Sequence, residues 1–121
     1  MAIDRLYVVT AFVWLICGMV FGIFLGITDQ LNLSNTHAHM GLLGFVLSIL
    51  FGLLHRGWPE MREGRLAIWQ YGIYQVGAVI LVAGKYQIDT TQSSPIVAPG
   101  SLIVVLGTAL MGWLFLTSAK N

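Results

Sequence analysis

Three histidines, His37, His39 and His55, carry most of the chemistry this sequence has to offer. Imidazole both carries protons near neutral pH and ligates iron, copper and zinc. His37 and His39 are two residues apart, so on a continuous helix their side chains project about 200° from one another and cannot grip one metal as a pair. A His-x-x-x-His spacing would place two imidazoles on one face; the sequence lacks it, which excludes a zinc-protease type of site. A haem asks for less, one or two axial ligands arriving from opposite faces of the ring, so one helix could serve two haems or two subunits could share one. His55 lies 16 and 18 residues further on, roughly 24 to 27 Å along a helix axis, beyond reach of the other two within one chain. Beside Arg56 it reads as a solvated helix-end residue, or else as part of a second metal site or a proton entry.

On a regular helix His37, Gly41, Gly44, Ser48, Gly52 and His55 fall on one nearly bare face. Such a face lets another helix approach closely, as the Gly18, Gly22 and Gly26 stripe upstream does, or it leaves room for a flat cofactor beside a ligating histidine. In the second reading Gly41 and Gly44 contact the cofactor. A polar cluster follows at Gln70, Tyr71, Tyr74 and Gln75. Its ordinary role is packing between helices; its functional role would be a hydrogen bond from Tyr74 or Gln75 to a ligand histidine or a cofactor edge. Cys17 is the single cysteine, which leaves neither a disulfide framework nor a thiolate metal cluster.

The elements that must hold these residues follow from composition. Of 121 residues only 9% are charged, 57% are hydrophobic, and mean hydropathy is +0.82; a soluble domain would carry about 25% charge. The expected fold is all-α, an integral membrane four-helix bundle in a single domain over residues 1–121, with spans at about 6–28, 34–54, 66–84 and 99–117. Pro99 followed by Gly100 marks the start of the fourth helix. The first span is longer than a signal-peptide core and reads as retained. No Asp, Glu, Lys or Arg falls inside an expected span, which argues against an ion-coupled exporter. Arg5, Arg56, Arg62, Arg65 and Lys120 lie on one side and Lys85 alone on the other, so both termini are expected in the cytoplasm, across the inner (cytoplasmic) membrane. Trp58, Trp69 and Tyr86 suit the headgroup layers. A net charge of +1 with no basic stripe excludes nucleic acid as a partner.

The string His37-Ala38-His39-Met40-Gly41-Leu42-Leu43-Gly44-Phe45-Val46, with Leu53-Leu54-His55-Arg56 and Pro59 after it, resembles a segment of small four-helix membrane proteins that look like one arc of haem–copper oxidase subunit I. The resemblance implies that three copies close the pores, hence a homotrimer. It also implies non-covalent haem b with bis-histidine ligation, His37 from one subunit and His39 from its neighbour. Such a six-coordinate haem moves electrons and does not activate oxygen. The sequence departs from the oxidase pattern in lacking further histidines for copper and a histidine in the third helix, where Trp69-Gln70-Tyr71-Gly72-Ile73-Tyr74-Gln75 stands, so neither a copper centre nor stand-alone oxidase activity is expected.

The leading expectation is thus a membrane b-type cytochrome that exchanges electrons with a quinol, a soluble cytochrome or a reductase, with Asn35, Thr36 and Lys85 as partners for haem propionates. The alternatives are a copper- or zinc-binding membrane protein that gathers His37 or His39 with Met40 from several subunits, a non-catalytic accessory subunit of a respiratory complex, and a gas-binding five-coordinate haem protein.

Overall fold

The computed structural model describes residues 1–118; Lys120, counted among the charges of the basic end, lies outside them. Four helices are long and apolar enough to cross a membrane: α1 (Ile3–Thr28), α2 (Leu31–Gly57), α3 (Leu66–Thr91) and α4 (Val97–Ser118). No strand occurs among the described residues. Every one of the four is the only kind of open-ended element that hydrocarbon tolerates, because a helix pairs its own backbone groups.

The helices outrun the apolar stretches that announced them. α1 begins at Ile3 and takes in Asp4 and Arg5, α2 runs on to Gly57, and α3 continues past Gly84 to Thr91 through Lys85 and Asp89. Charged residues therefore do stand in the helices, but at their ends, where ion pairs can form: Arg56 and Arg62 with Asp4 at 3.2 and 3.0 Å, and Lys85 with Asp89 at 3.7 Å. Helix α4 starts at Val97, so Pro99 sits in its first turn, where its missing N–H costs no intrahelical bond.

Helix α1 lies along α2, α3 meets both, and α4 packs along α3. The polar cluster of α3 is the hub. Tyr7 donates to Gln70 Oε1 at 2.6 Å, the Thr10 and Tyr71 hydroxyls pair at 2.6 Å, and Trp14 Nε1 donates to Gln75 Oε1 at 3.0 Å. Gln75 Nε2 then reaches Ser48 of α2, and Gln70 Nε2 the Gly107 carbonyl of α4, each at 2.9 Å. Hydrogen bonds of this kind hold membrane helices together at about 0.6 kcal/mol each on average, up to about 1.7.

Between α3 and α4 glycines do the work. A Cβ at Gly107 would lie 2.9 Å from the Tyr74 Cα, and one at Gly84 2.7 Å from the Val97 Cα, so the two backbones are in direct contact. Gly72 and Gly112 meet nothing within 4 Å. Gly107→Ala should therefore lower the thermal midpoint of the detergent-solubilised protein, by overpacking worth about 1–3 kcal/mol. Gly112→Ala should leave the midpoint unchanged or raise it, since only helix propensity is altered.

Candidate functional site

Helix α2 is not uniform. After a 3-10 turn at Leu31–Leu33 it is α-helical over Ser34–His39, π-helical over Met40–Val46 and α-helical again over Leu47–Gly57. A π turn accommodates one residue more than an α turn and often marks a functional region. Here it shifts the register. Met40, not Gly41, meets Gly18 of α1, and His37 meets Gly22.

The wider turn also frees a carbonyl. In an α-helix the Leu47 N–H would bond the Leu43 oxygen; instead it reaches back to Leu42. The Tyr74 hydroxyl of α3 donates to Leu43 O at 2.6 Å and supplies the missing partner. Tyr74 is fully buried, packed edge-on against Phe51 at 5.0 Å between ring centroids. Its hydroxyl is therefore engaged by the backbone of α2, not by a histidine.

The start of α2 needs a second clamp. Leu33 precedes the α-helical turn and has no side chain to cap it. Asp89, near the end of α3, accepts from both the Thr36 N–H (3.0 Å) and the Thr36 hydroxyl (2.6 Å), while Lys85 stands on its other oxygen. A carboxylate here pairs an orphan N–H and complements the positive end of the helix. Thr36 and Lys85, expected to face haem propionates, are thus held by Asp89.

The two neighbouring histidines then differ. His37 turns Nε2 toward α1, so close that a Cβ on Gly22 would lie 2.7 Å from it, and its ring tilts against Phe21 at 6.4 Å. His39 places Nδ1 2.9 Å from the Asn35 carbonyl. A carbonyl only accepts, so this contact puts the proton on Nδ1 and leaves the Nε2 lone pair free on a half-exposed ring. That is the tautomer and the backbone anchor of a metal-ligating imidazole. Gly41, two residues on and turned to the other side of the helix, meets nothing within 4 Å. On the α1 side an open apolar groove of about 570 Å³ runs past Ile16, Cys17, Val20, Phe21, Phe24 and Met40.

Three expected cofactor contacts need correction. The face of Gly44 is filled by the Trp14 indole, which a Cβ would penetrate, so its bareness serves helix packing. Tyr74 bonds Leu43, and Gln75 bonds Trp14 and Ser48, so both are engaged in holding helices together. His55 is the fourth correction. Far from being solvated, it is fully buried, stacked on Tyr7 at 5.9 Å, with both ring nitrogens unpartnered. The adjacent Arg56 suggested solvent, but Arg56 turns to Asp4 while His55, on the face of Gly52 and Phe51, enters the core. Among the described residues no three His, Cys, Asp or Glu side chains gather into a metal-binding group.

The sequence reading missed Asp4, Asp89 and Trp14. Asp4 was readable as the carboxylate next to Arg5 at the chain's basic end, and Asp89 as the fourth residue after Lys85, the spacing of a helical ion pair. Nothing marked Trp14 beyond its bulk opposite a glycine.

Two measurements probe these placements. Tyr74→Phe should cost about 1–3 kcal/mol of unfolding free energy, the penalty of an unpaired buried carbonyl. Deleting exposed Leu42, which lets the π stretch close into α-helix, should make the double variant less destabilised than the sum of the two changes; additive losses would refute the account of Tyr74. His55→Leu should be neutral or stabilising in the same assay, because an unpaired buried polar group is replaced by an apolar one.

No curated protein and no solved structure matches the chain. No haem–copper oxidase family matches it either, which corrects the resemblance drawn from His37–Val46 and the residues around His55. That likeness rested on a short run whose small residues the fold uses for packing against α1. Over residues 4–118, nearly its whole length, the chain matches the family described as Protein of unknown function (DUF2871), and it belongs to that family.

Proposed function

We propose that the protein is a b-type cytochrome of the cytoplasmic membrane, with His39 as an axial ligand of a non-covalent haem and electron transfer as its role. The observation that carries this reading is the His39 ring itself. Its Nδ1–H is fixed on the Asn35 carbonyl and its Nε2 is free, on a helix long and apolar enough to span a bilayer. An ionisable side chain at such a position is costly and calls for a partner. The groove that Met40, the next residue, lines along α1 is almost wholly apolar, as a porphyrin face requires. Haem bound there would supply a one-electron couple, tuned by its axial ligands and by the apolar surroundings.

The residues of the chain divide the remaining tasks. Asn35 orients His39, Asp89 fixes the turn that carries both, and Tyr74 holds the π turn below them. His37 faces α1 at Gly22 and so does not share the side of the helix that His39 presents. Within one chain no other imidazole faces the same way as His39, so bis-histidine ligation requires a second copy, in a closed homo-oligomer. The lysine and arginine balance, four arginines at the end bearing Asp4 against Lys85 at the other, favours cytoplasmic termini.

Purified from cells with ample haem, the protein should show the sharp reduced spectrum of a six-coordinate b haem, and the particle mass then counts the copies. His39→Ala should abolish the spectrum, whereas His37→Ala should retain bound haem. A featureless spectrum overturns the cytochrome reading: copper or zinc found in its place identifies a metal protein, and co-purifying respiratory subunits with no cofactor identify an accessory subunit.

A further inference from the structure

At the end opposite the histidine pair, Asp4 in the first turn of α1 is buried and faces two guanidinium groups, Arg56 at 3.2 Å and Arg62 at 3.0 Å. Arg5, the next residue, has no ion-pair partner among the described residues. Arg5 and Arg56 thus stand against the one carboxylate of Asp4, an excess of one positive charge, and Asp4 is further offset by Arg62. Arg56 gives only Nη1 to Asp4, and its side chain is 71% exposed, so its remaining N–H groups face outward.

Between α1 and α2, directly inside these arginines, lies a groove of about 290 Å³. Arg5 and Arg56 stand at its mouth, and Val8, Val9, Gly52 and Leu53 form its walls and floor. Gly52 brings the helices together here, since a Cβ would lie 3.0 Å from Val8 and 3.2 Å from the Asp4 carbonyl. Deeper along the same two helices Phe12 and Leu50 are exposed, which extends the apolar track. The groove is therefore cationic at the helix ends and apolar within. Basic pockets between membrane helices at headgroup depth recognise anionic lipid heads.

We propose that this groove binds an anionic phospholipid, with its phosphate between Arg5 and Arg56 and an acyl chain along Val9 and Leu53. The apolar floor selects an amphiphile over free phosphate. The mouth selects net negative charge over a zwitterion, because the one carboxylate there is already turned to arginines and offers nothing to a choline. The site is independent of any haem at His39.

The test titrates the detergent-solubilised full chain with dioleoylphosphatidylglycerol or dioleoylphosphatidylcholine and counts bound lipid by native mass spectrometry. The anionic lipid should bind about tenfold more tightly than the zwitterionic one. Arg5→Gln, at a side chain with no ion-pair partner to lose, should weaken the anionic lipid about fivefold and leave the zwitterionic one unchanged. Val9→Trp should weaken both by filling the track, while Arg65→Gln, outside the groove, should change neither. Equal affinity for the two lipids overturns the proposal. So does a preference that survives Arg5→Gln, displacement of the bound lipid by millimolar inorganic phosphate, or a neutral quinone held in the groove that the anionic lipid cannot displace.

Discussion

The Leu43 carbonyl must find a donor inside the protein, because hydrocarbon offers none. The hydrogen bond from Tyr74 that meets this need is short and fully enclosed, and much of the fold can be traced from it. It allows α2 to carry a π turn, and the π turn sets the register in which Met40 and His37 reach Gly18 and Gly22 of α1. It also draws α3 close at Tyr74, where α4 can pack only because Gly107 has no side chain. One hydroxyl thus links the conformation of the second helix to the seating of the fourth.

Polar contacts do elsewhere what burial does in a soluble protein. Lipid tails are as apolar as leucine, so the exposed faces of Phe12, Ile16, Val20 and Phe24 gain little by packing, and the helices are held by close glycine contacts and by hydrogen bonds that have no better partner. The ladder through Gln70, Tyr71 and Gln75 supplies these in the middle of the helices, and the two aspartates supply them at the ends. Asp4 ties the start of α1 to the end of α2, and Asp89 ties the end of α3 to the start of α2. Both ends of α2, the helix with the histidines, are therefore fixed from neighbouring helices.

The four spans were legible because about 20 uninterrupted apolar residues have few other uses. Their true ends were not, since charged side chains can prolong a helix into the headgroup layers once an ion pair is at hand, and Asp4–Arg62 is a tertiary fact. The polar cluster of α3 was read correctly as packing in its default role. The π turn left no mark in Met40–Val46 that an ordinary helix would lack, and because of it Gly41 leaves the α1-facing side that His37 and Gly44 keep. His55 failed for a similar reason: neighbours in sequence said interface, whereas helical phase placed it with Gly52 and Phe51 against Tyr7. A short motif in apolar surroundings carried the oxidase resemblance, and packing glycines satisfy most of that motif without any cofactor.

What survives of the candidate site is an asymmetry that spacing alone could not assign. Two histidines two residues apart must face different ways, and only tertiary contacts say which of them faces α1. Gly22 faces His37, and a Cβ there would oblige the ring to shift. His39 is left with one nitrogen anchored on its own helix and the other free. Which way each histidine faces is therefore set by the neighbouring helix and by the local turn together, and not by their spacing.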